Sequence, residues 1–128
     1  MSRLRRGIYF GFVPAIALTA MVGLSSPAYA DADCASGHFC AWEHSNYGGQ
    51  KLIDSTAGAG TGNIDVADNR VSSVKNLTGN RWCGVNNGFP GDDTILNVAP
   101  NTRLGYVGNT ANDRIDHFYV RRGTTNCS

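Results

Sequence analysis

This sequence lacks the features that mark several common protein classes. After residue 30, no segment repeats its apolar residues with the 3.6-residue period of an amphipathic helix, which argues against a helical fold. Charged residues make up only 16% of the chain, and beyond the N-terminal region only Arg121-Arg122 form an adjacent basic pair, whereas a nucleic-acid interface needs a clustered basic face. No nucleophile motif surrounds a serine, and the histidines have no metal-ligand spacing. We therefore expect neither an enzyme nor a nucleic-acid-binding protein.

The first thirty residues have the three parts of a secretory signal peptide. An apolar stretch over residues 8–24 follows a basic start, and Ala28-Tyr29-Ala30 supplies the small-x-small pattern that a signal peptidase reads. A membrane anchor is the alternative, but a spanning helix needs roughly 20 mostly apolar residues, and this stretch contains Pro14. The pattern predicts a signal peptide over residues 1–30, cleaved before Asp31. The mature chain, residues 31–128, is then a secreted, extracellular domain with no membrane association.

The cysteines and charges of the mature part fit this prediction. Three of the eleven Lys and Arg residues lie in the leader, whereas all ten Asp and Glu residues follow it, so the mature net charge is −2. Four cysteines lie after residue 30, which in a small exported chain predicts two disulfides. Three pairings are possible. We favour Cys34–Cys40, because it is local, and Cys83–Cys127, because it secures the C-terminus. A zinc site is the alternative, but it needs paired Cys spacings that this chain lacks.

Short runs rich in β-branched and aromatic residues alternate with Gly, Asn and Asp clusters. Such alternation predicts an all-β sandwich or barrel. We expect Val71, Val74, Ile115, Phe118 and Val120 to face its core. The predicted strands cover residues 39–42, 50–53, 71–74, 94–98, 104–107 and 116–120.

The mature chain also repeats itself. Phe39-Cys40 matches Trp82-Cys83, Tyr47-Gly48-Gly49 matches Phe89-Pro90-Gly91, and Asp68-Asn69-Arg70-Val71 matches Asn112-Asp113-Arg114-Ile115. The two copies span about residues 38–78 and 81–120. Two units, each with roughly four short strands, predict a pseudo-symmetric pair of Greek-key motifs within a single domain.

Two patterns in the first copy call for a physical explanation. Trp42, Tyr47 and Gly49 form an aromatic-x4-aromatic-x-Gly hairpin, in which the second aromatic packs on the turn and the glycine supplies a conformation that other residues resist. The segment from Asp68 to Ser73 groups carboxylate, amide and hydroxyl oxygens in one turn. Hard oxygen donors are the ligands that Ca²⁺ prefers. The alternative is that these side chains only cap a turn.

With these motifs, the chain resembles the βγ-crystallin superfamily, and within it the small secreted actinobacterial peptidase-inhibitor family of the metalloproteinase-inhibitor type. The likeness covers nearly the whole mature chain, and the Asp68–Ser73 hexapeptide matches the superfamily's calcium signature at every defined position. We expect a monomer. The resemblance implies a βγ-crystallin-like sandwich of two Greek keys. It also implies a secreted protease as partner.

The resemblance also implies a calcium scheme with two sites. The first would use the Arg70 carbonyl, the Ser72 hydroxyl, a carbonyl at Glu43, and Asp113 from the partner motif. The reciprocal site would use the Arg114 carbonyl, Asn69, and a carbonyl near Asn86. There the chain departs from the signature, because Asp116 and His117 replace Ser/Thr and Ser, although Asp116 is still an oxygen donor. The second hairpin departs as well, with Gly84 where Trp42 would repeat.

Three functions remain open at this stage. The resemblance favours a proteinaceous peptidase inhibitor, although the sequence identifies no reactive loop; the stretches near Cys83 and at residues 124–128 are candidates. The first alternative is a calcium-stabilised extracellular structural or adhesion module. The second is an antimicrobial, killer-toxin-like protein that binds polysaccharide, which the net charge of −2 disfavours.

Overall fold

The turn-bounded runs of the sequence form eight short strands in the computed structural model, which describes residues 31–67 and 69–128. The predicted signal peptide and Asp68 therefore lie outside the described residues. The strands are β1 Phe39–His44, β2 Gly48–Ser55, β3 Ile64–Asp65, β4 Ser73–Asn76, β5 Arg81–Asn86, β6 Asp93–Val98, β7 Thr102–Leu104 and β8 His117–Arg121. A single 3-10 turn, Ser45–Tyr47, joins β1 to β2. Among these residues, no helix is long and apolar enough to cross a membrane.

The strands form two four-stranded antiparallel sheets that exchange one strand each. The first sheet has the order β2-β1-β4-β7, and the second has the order β3-β8-β5-β6. Each sheet therefore contains three strands of one repeat and the third strand of the other. This exchange relates the repeats by pseudo-symmetry and confirms the predicted sandwich of two Greek-key motifs.

The core lies between the sheets and is centred on equivalent residues of the two repeats. Phe39 of β1 stacks on Trp82 of β5 with ring centroids 4.0 Å apart and an interplanar angle of 3°. Phe118 packs at an angle against both rings, 4.9 Å from Phe39 and 6.2 Å from Trp82. The prediction of inward-facing residues is confirmed, since all five are buried: Val71, Val74, Ile115, Phe118 and Val120.

Both predicted disulfides are confirmed, and each fastens a terminal segment to the outer face of one sheet. Cys40 alternates with the core residues of β1, so it faces away from the core, where it pairs with Cys34. Cys83 occupies the equivalent position of β5 and pairs with Cys127. Among the described residues no cysteine is free, which removes the zinc alternative.

Some strand predictions were wrong. The apolar run at 104–107 contributes only Leu104 to β7, because Val107 instead donates its N–H to the Ser72 carbonyl, in a turn. Strands β3 and β5 were missed. The segment of β5 contains Gly84, which reads as a breaker, but a Cβ there would lie 3.0 Å from the Cβ of Leu96, so the glycine permits close packing in the core.

Candidate functional site

The first hairpin is folded over onto its own strand. Asn46 and Tyr47 have positive φ values of 55° and 62°, which turns the Tyr47 ring back onto Trp42 with centroids 5.4 Å apart in an edge-on arrangement. Gly49 has φ +72°, and a Cβ there would lie 2.7 Å from the His44 ring. The predicted role of the aromatic-glycine motif is therefore observed directly in this hairpin.

Ser73 fastens this hairpin to the turn formed by residues 69–73 of the hexapeptide. Its Oγ donates to the His44 carbonyl at 2.6 Å and accepts from the Tyr47 N–H at 3.0 Å, and its side chain is fully buried. The last residue of the hexapeptide thus ties the turn to the hairpin. This geometry explains why the two motifs occur together in the sequence.

Two of the predicted ligands of the first site meet although they are far apart in the chain. The Ser72 hydroxyl donates to Oδ1 of Asp113 at 3.5 Å, and the Asp113 N–H donates to the Val71 carbonyl at 3.1 Å. Asn69 and Asp113, which hold the same place in the two repeats, both have positive φ, 46° and 55°. The two turns therefore face each other and bring side chains of one repeat to the backbone of the other.

Glu43 and Arg70, the other two residues of the first set, pair through their side chains. The Arg70 guanidinium lies 2.5 Å from Oε1 of Glu43, and the Gln50 N–H donates to Oε2 at 3.4 Å. These two hydrogen bonds, that from Arg70 being the stronger, lower the pKa of the Glu43 carboxyl. The pair holds together the chain segments whose carbonyls the calcium scheme would use.

The residues predicted for the second calcium site are arranged differently from those of the first. Oδ2 of Asp116 accepts a hydrogen bond of 2.7 Å from the Asn87 N–H. In the amide orientation that satisfies its neighbours, Asn86 donates to Oδ2 of Asp116 at 3.1 Å and to the Arg114 carbonyl at 3.3 Å. Asn69, by contrast, makes no side-chain hydrogen bond with any described residue. Here the structure brings Arg114 and Asp116 to the root of the second hairpin.

The donor set of both turns consists of oxygen atoms from carbonyls, hydroxyls and single carboxylates. No group of three or more His, Cys, Asp or Glu side chains among residues 31–67 and 69–128 is arranged to hold a metal. A site built mainly from backbone and hydroxyl oxygens suits Ca²⁺ and does not suit zinc. The residues present therefore fit the ion that the resemblance implies.

The second hairpin has a longer connection than the first and lacks its aromatic platform: residues 87–92 join β5 to β6, whereas only residues 45–47 join β1 to β2. The register shifts between Ala41 and Trp42 in β1, and between Gly84 and Val85 in β5, so Val85 and not Gly84 occupies the place of Trp42. The prediction that Gly84 replaces Trp42 was therefore wrong by one residue. With no aromatic ring there to receive it, Phe89 at the tip of the hairpin is fully exposed.

Sequence reasoning missed Phe89 as a functional candidate. Its aromatic-Pro-Gly pattern matches the half-buried Tyr47 motif, and the missing aromatic at the place of Trp42 was noted in the sequence, but the exposure of Phe89 was not inferred from it. A Cβ added at Gly88 would lie 3.0 Å from the Gly91 carbonyl oxygen, so the tip is closely folded. The loop presents one large apolar side chain on a compact, polar base.

Comparisons with known proteins agree with this architecture. Residues 27–88 match the model of peptidase inhibitor family I36. Two similar solved structures are a clostrillin double mutant in complex with nickel and a mutant βγ-crystallin domain from Clostridium beijerinckii. Each has 18% identity and a TM-score of 0.51, and covers 66% of this chain and 97% of its own. A second mutant of the Clostridium beijerinckii domain has 21% identity and a TM-score of 0.50, over 66% of this chain and 96% of its own. No curated protein matched the sequence.

These findings confirm both parts of the predicted resemblance. The chain is similar to the I36 peptidase inhibitors in sequence and has the βγ-crystallin fold. At identities of 18–21%, the structural likeness establishes the fold alone.

Proposed function

We propose that the mature chain is a secreted peptidase inhibitor of the metalloproteinase-inhibitor type, and that it presents Phe89 to the cleft of an extracellular protease. The observation that carries this proposal is the full exposure of Phe89 at the tip of the β5–β6 hairpin. An aromatic side chain buries roughly 150–250 Å² when it enters a pocket. A single exposed ring of this kind suits the apolar pocket of a protease.

The root of the Phe89 loop is held in place before any partner binds. The Asp116 carboxylate accepts hydrogen bonds from the Asn87 N–H and the Asn86 amide, and β5 is joined to the C-terminal tail through Cys83–Cys127. A loop that is already ordered loses less conformational entropy on binding, so more of the contact energy becomes affinity. An inhibitor requires this property.

The geometry favours this loop over the other candidate, residues 124–128. The tail lies against the second sheet, where the Ser128 N–H donates to the Tyr119 hydroxyl at 3.1 Å and the Ser128 carbonyl accepts from Thr94 at 2.9 Å. A tail bound to its own sheet presents less surface to a protease cleft than a free hairpin tip does.

The calcium part of the proposal assigns the first site to the carbonyls of Glu43 and Arg70, the Ser72 hydroxyl and the Asp113 carboxylate. The second site would use Asn69, Arg114 and Asp116. The ion would supply a cross-link between the two facing turns. The 3.5 Å contact between Ser72 and Asp113 supports the first assignment, because it brings residues of both repeats to one place. Binding would stabilise the fold without taking part in a reaction, since the proposal makes the protein a monomeric inhibitor and not an enzyme.

The experiment is an inhibition panel with the purified mature chain against secreted metallo-, serine and cysteine proteases. Phe89→Ala should weaken inhibition of the responsive protease at least about tenfold, which corresponds to about 1.4 kcal/mol. Tyr106→Ala is the matched control, because Tyr106 is the other exposed large aromatic among the described residues and lies outside this loop. Lack of inhibition in every protease class would refute the function. Equal inhibition by wild type and Phe89→Ala would refute the loop assignment.

A further inference from the structure

The charges of the described residues divide into a paired and an unpaired group. Within residues 31–67 and 69–128, the Lys–carboxylate and Arg–carboxylate ion pairs lie on or beside the first sheet: Lys51–Asp54, Arg70–Glu43, Lys75–Asp33, Lys75–Asp31 and Arg103–Asp31. Three arginines at one end of the second sheet, Arg81, Arg121 and Arg122, have no carboxylate partner among the described residues. The protein therefore carries a local positive patch although its mature net charge is −2.

Two of these arginines oppose each other. Arg81 of β5 and Arg121 of β8 are direct cross-strand partners, so their side chains project from the same face of the sheet. Like charges in this position destabilise a sheet. Arg81 is partly satisfied, since it donates to Oδ1 of Asn97 and to the Thr124 carbonyl. The guanidinium groups of Arg121 and Arg122 make no hydrogen bond within the part of the chain that the structure describes.

A cavity of about 320 Å³ lies beside this pair. It is lined by Ala59, Gly60, Val120, Arg121, Arg122 and Thr125. Backbone hydrogen bonds hold the residues that line it: the Gly60 N–H donates to the Val120 carbonyl at 3.0 Å, and the Thr125 N–H donates to the Arg122 carbonyl at 3.0 Å. Arg121 and Arg122 are the two charged residues of this lining, and the facing loop contributes only the small residues Ala59 and Gly60.

We propose that Arg121, Arg122 and the Thr125 hydroxyl form a binding site for a phosphate group. A guanidinium presents planar N–H donors that match phosphate oxygens, and two of them neutralise its charge. A bound phosphate would also offset the repulsion between Arg81 and Arg121. The site is independent of the Phe89 loop, since β5 runs from Arg81 at this end to Asn86 at the loop, a distance of roughly 17 Å at 3.4 Å per residue.

The phosphate has two possible sources for an exported protein, free inorganic phosphate or the phosphodiester of an anionic cell-surface polymer. Titrations with inorganic phosphate and with a poly(glycerol phosphate) chain distinguish them. The arginine Nε–H resonances are followed by NMR at constant ionic strength, with chloride as the reference anion. We expect saturable shifts of the Arg121 and Arg122 signals and a rise in melting temperature with phosphate, both absent with chloride.

The variants are Arg121→Gln, Arg122→Gln and the double variant, with Lys51→Gln as a control cation on the other sheet. The double variant should raise the Kd for phosphate at least about tenfold, whereas Lys51→Gln should leave it unchanged. Arg121→Gln should retain or increase stability without phosphate, because it removes the like-charge pair, so loss of binding is not loss of folding. Equal responses to phosphate and chloride, or equal weakening by Lys51→Gln, would show non-specific screening and overturn the proposal.

Discussion

Replacing Asn76 with alanine should lower the free energy of unfolding by about 3–4 kcal/mol. Asn76 is fully buried at the end of β4, where the two repeats meet. Its amide nitrogen lies 2.8 Å from the Asn80 carbonyl, 2.9 Å from that of Ala99 and 3.2 Å from that of Val98. Its Oδ1 accepts from the N–H and the hydroxyl of Thr78 at 3.1 and 2.7 Å. One side chain therefore joins the linker between the repeats to the end of β6.

The magnitude follows from the number of bonds that the side chain can make. An amide has two hydrogens for its three carbonyl neighbours, so it makes the equivalent of two donated and two accepted bonds. At about 1 kcal/mol net for each neutral hydrogen bond, the loss is about 4 kcal/mol. The Thr78 hydroxyl keeps the Asn80 carbonyl as a second partner at 3.2 Å, which reduces the loss. For a domain of this size the melting temperature should fall by more than about 12 °C.

The assay is equilibrium denaturation of the mature chain with both disulfides intact. Asn109→Ala is the control, because Asn109 is exposed and its side chain accepts a single hydrogen bond, from Tyr106, among the described residues, so its loss should cost less than about 1 kcal/mol. Asn76→Asp should destabilise at least as much as Asn76→Ala, since a carboxylate has no hydrogens for the three carbonyls. An Asn76→Ala protein within about 1 kcal/mol of wild type would refute the assignment of Asn76 as the junction.

The remaining predictions concern calcium, acid and the disulfides. Calcium at a hundredfold excess over its Kd should stabilise the mature chain by about 2.7 kcal/mol per site. In calorimetric titration of chelator-stripped protein, Ser72→Ala should weaken calcium binding, and no heat in the wild type would count against the site. The hydrogen bond from Arg103 lowers the pKa of Asp31, so this pair stabilises the fold above about pH 4, and the contribution is lost as pH falls through the lowered pKa. Arg103→Gln should therefore make acid unfolding less steep, and an unchanged unfolding profile would contradict this role of the pair. Removing Cys83–Cys127, whose cysteines are 44 residues apart, should lower the free energy of unfolding by about 4 kcal/mol in denaturant titrations. Removing Cys34–Cys40, with a separation of 6, should lower it by about 2 kcal/mol. The reverse order would show that chain entropy is not the main cause.

Much of the fold could be predicted because local and repeated signals agreed. The internal repeat predicted two Greek keys, and the spacing of the cysteines favoured the observed bridges. Such signals do not predict the burial of Lys75. It lies in β4 and is fully buried, with its Nζ 4.3 Å from the centre of the Tyr47 ring and 2.5 Å from Oδ1 of Asp33. A lone lysine in a short strand gives no sign of burial, since the ring and the carboxylate that permit it come from distant segments.

The candidate site was predicted less completely than the fold, because its geometry depends on register. The hexapeptide marked Ser72 and Ser73, and the structure shows that Ser73 fastens the first hairpin. The missing aromatic ring at the place of Trp42 could be predicted, since neither Gly84 nor Val85 is aromatic, but which of the two holds that place depends on the register shift between them. A bulge changes which side chain faces outward without changing the composition of the strand.

The departures from internal symmetry concentrate in the second repeat and at one end of its sheet. Val85 stands where the first repeat has Trp42, and Asp116 and His117 stand where it has Ser72 and Ser73. A fold that needed only stability gains nothing from removing an aromatic platform and leaving a phenylalanine in water. The carboxylate that replaces a serine bonds instead to the N–H of Asn87, at the root of the loop that carries this phenylalanine. The first repeat therefore keeps the inward-folded hairpin, and the altered second repeat supplies the surface that we assign to protease recognition.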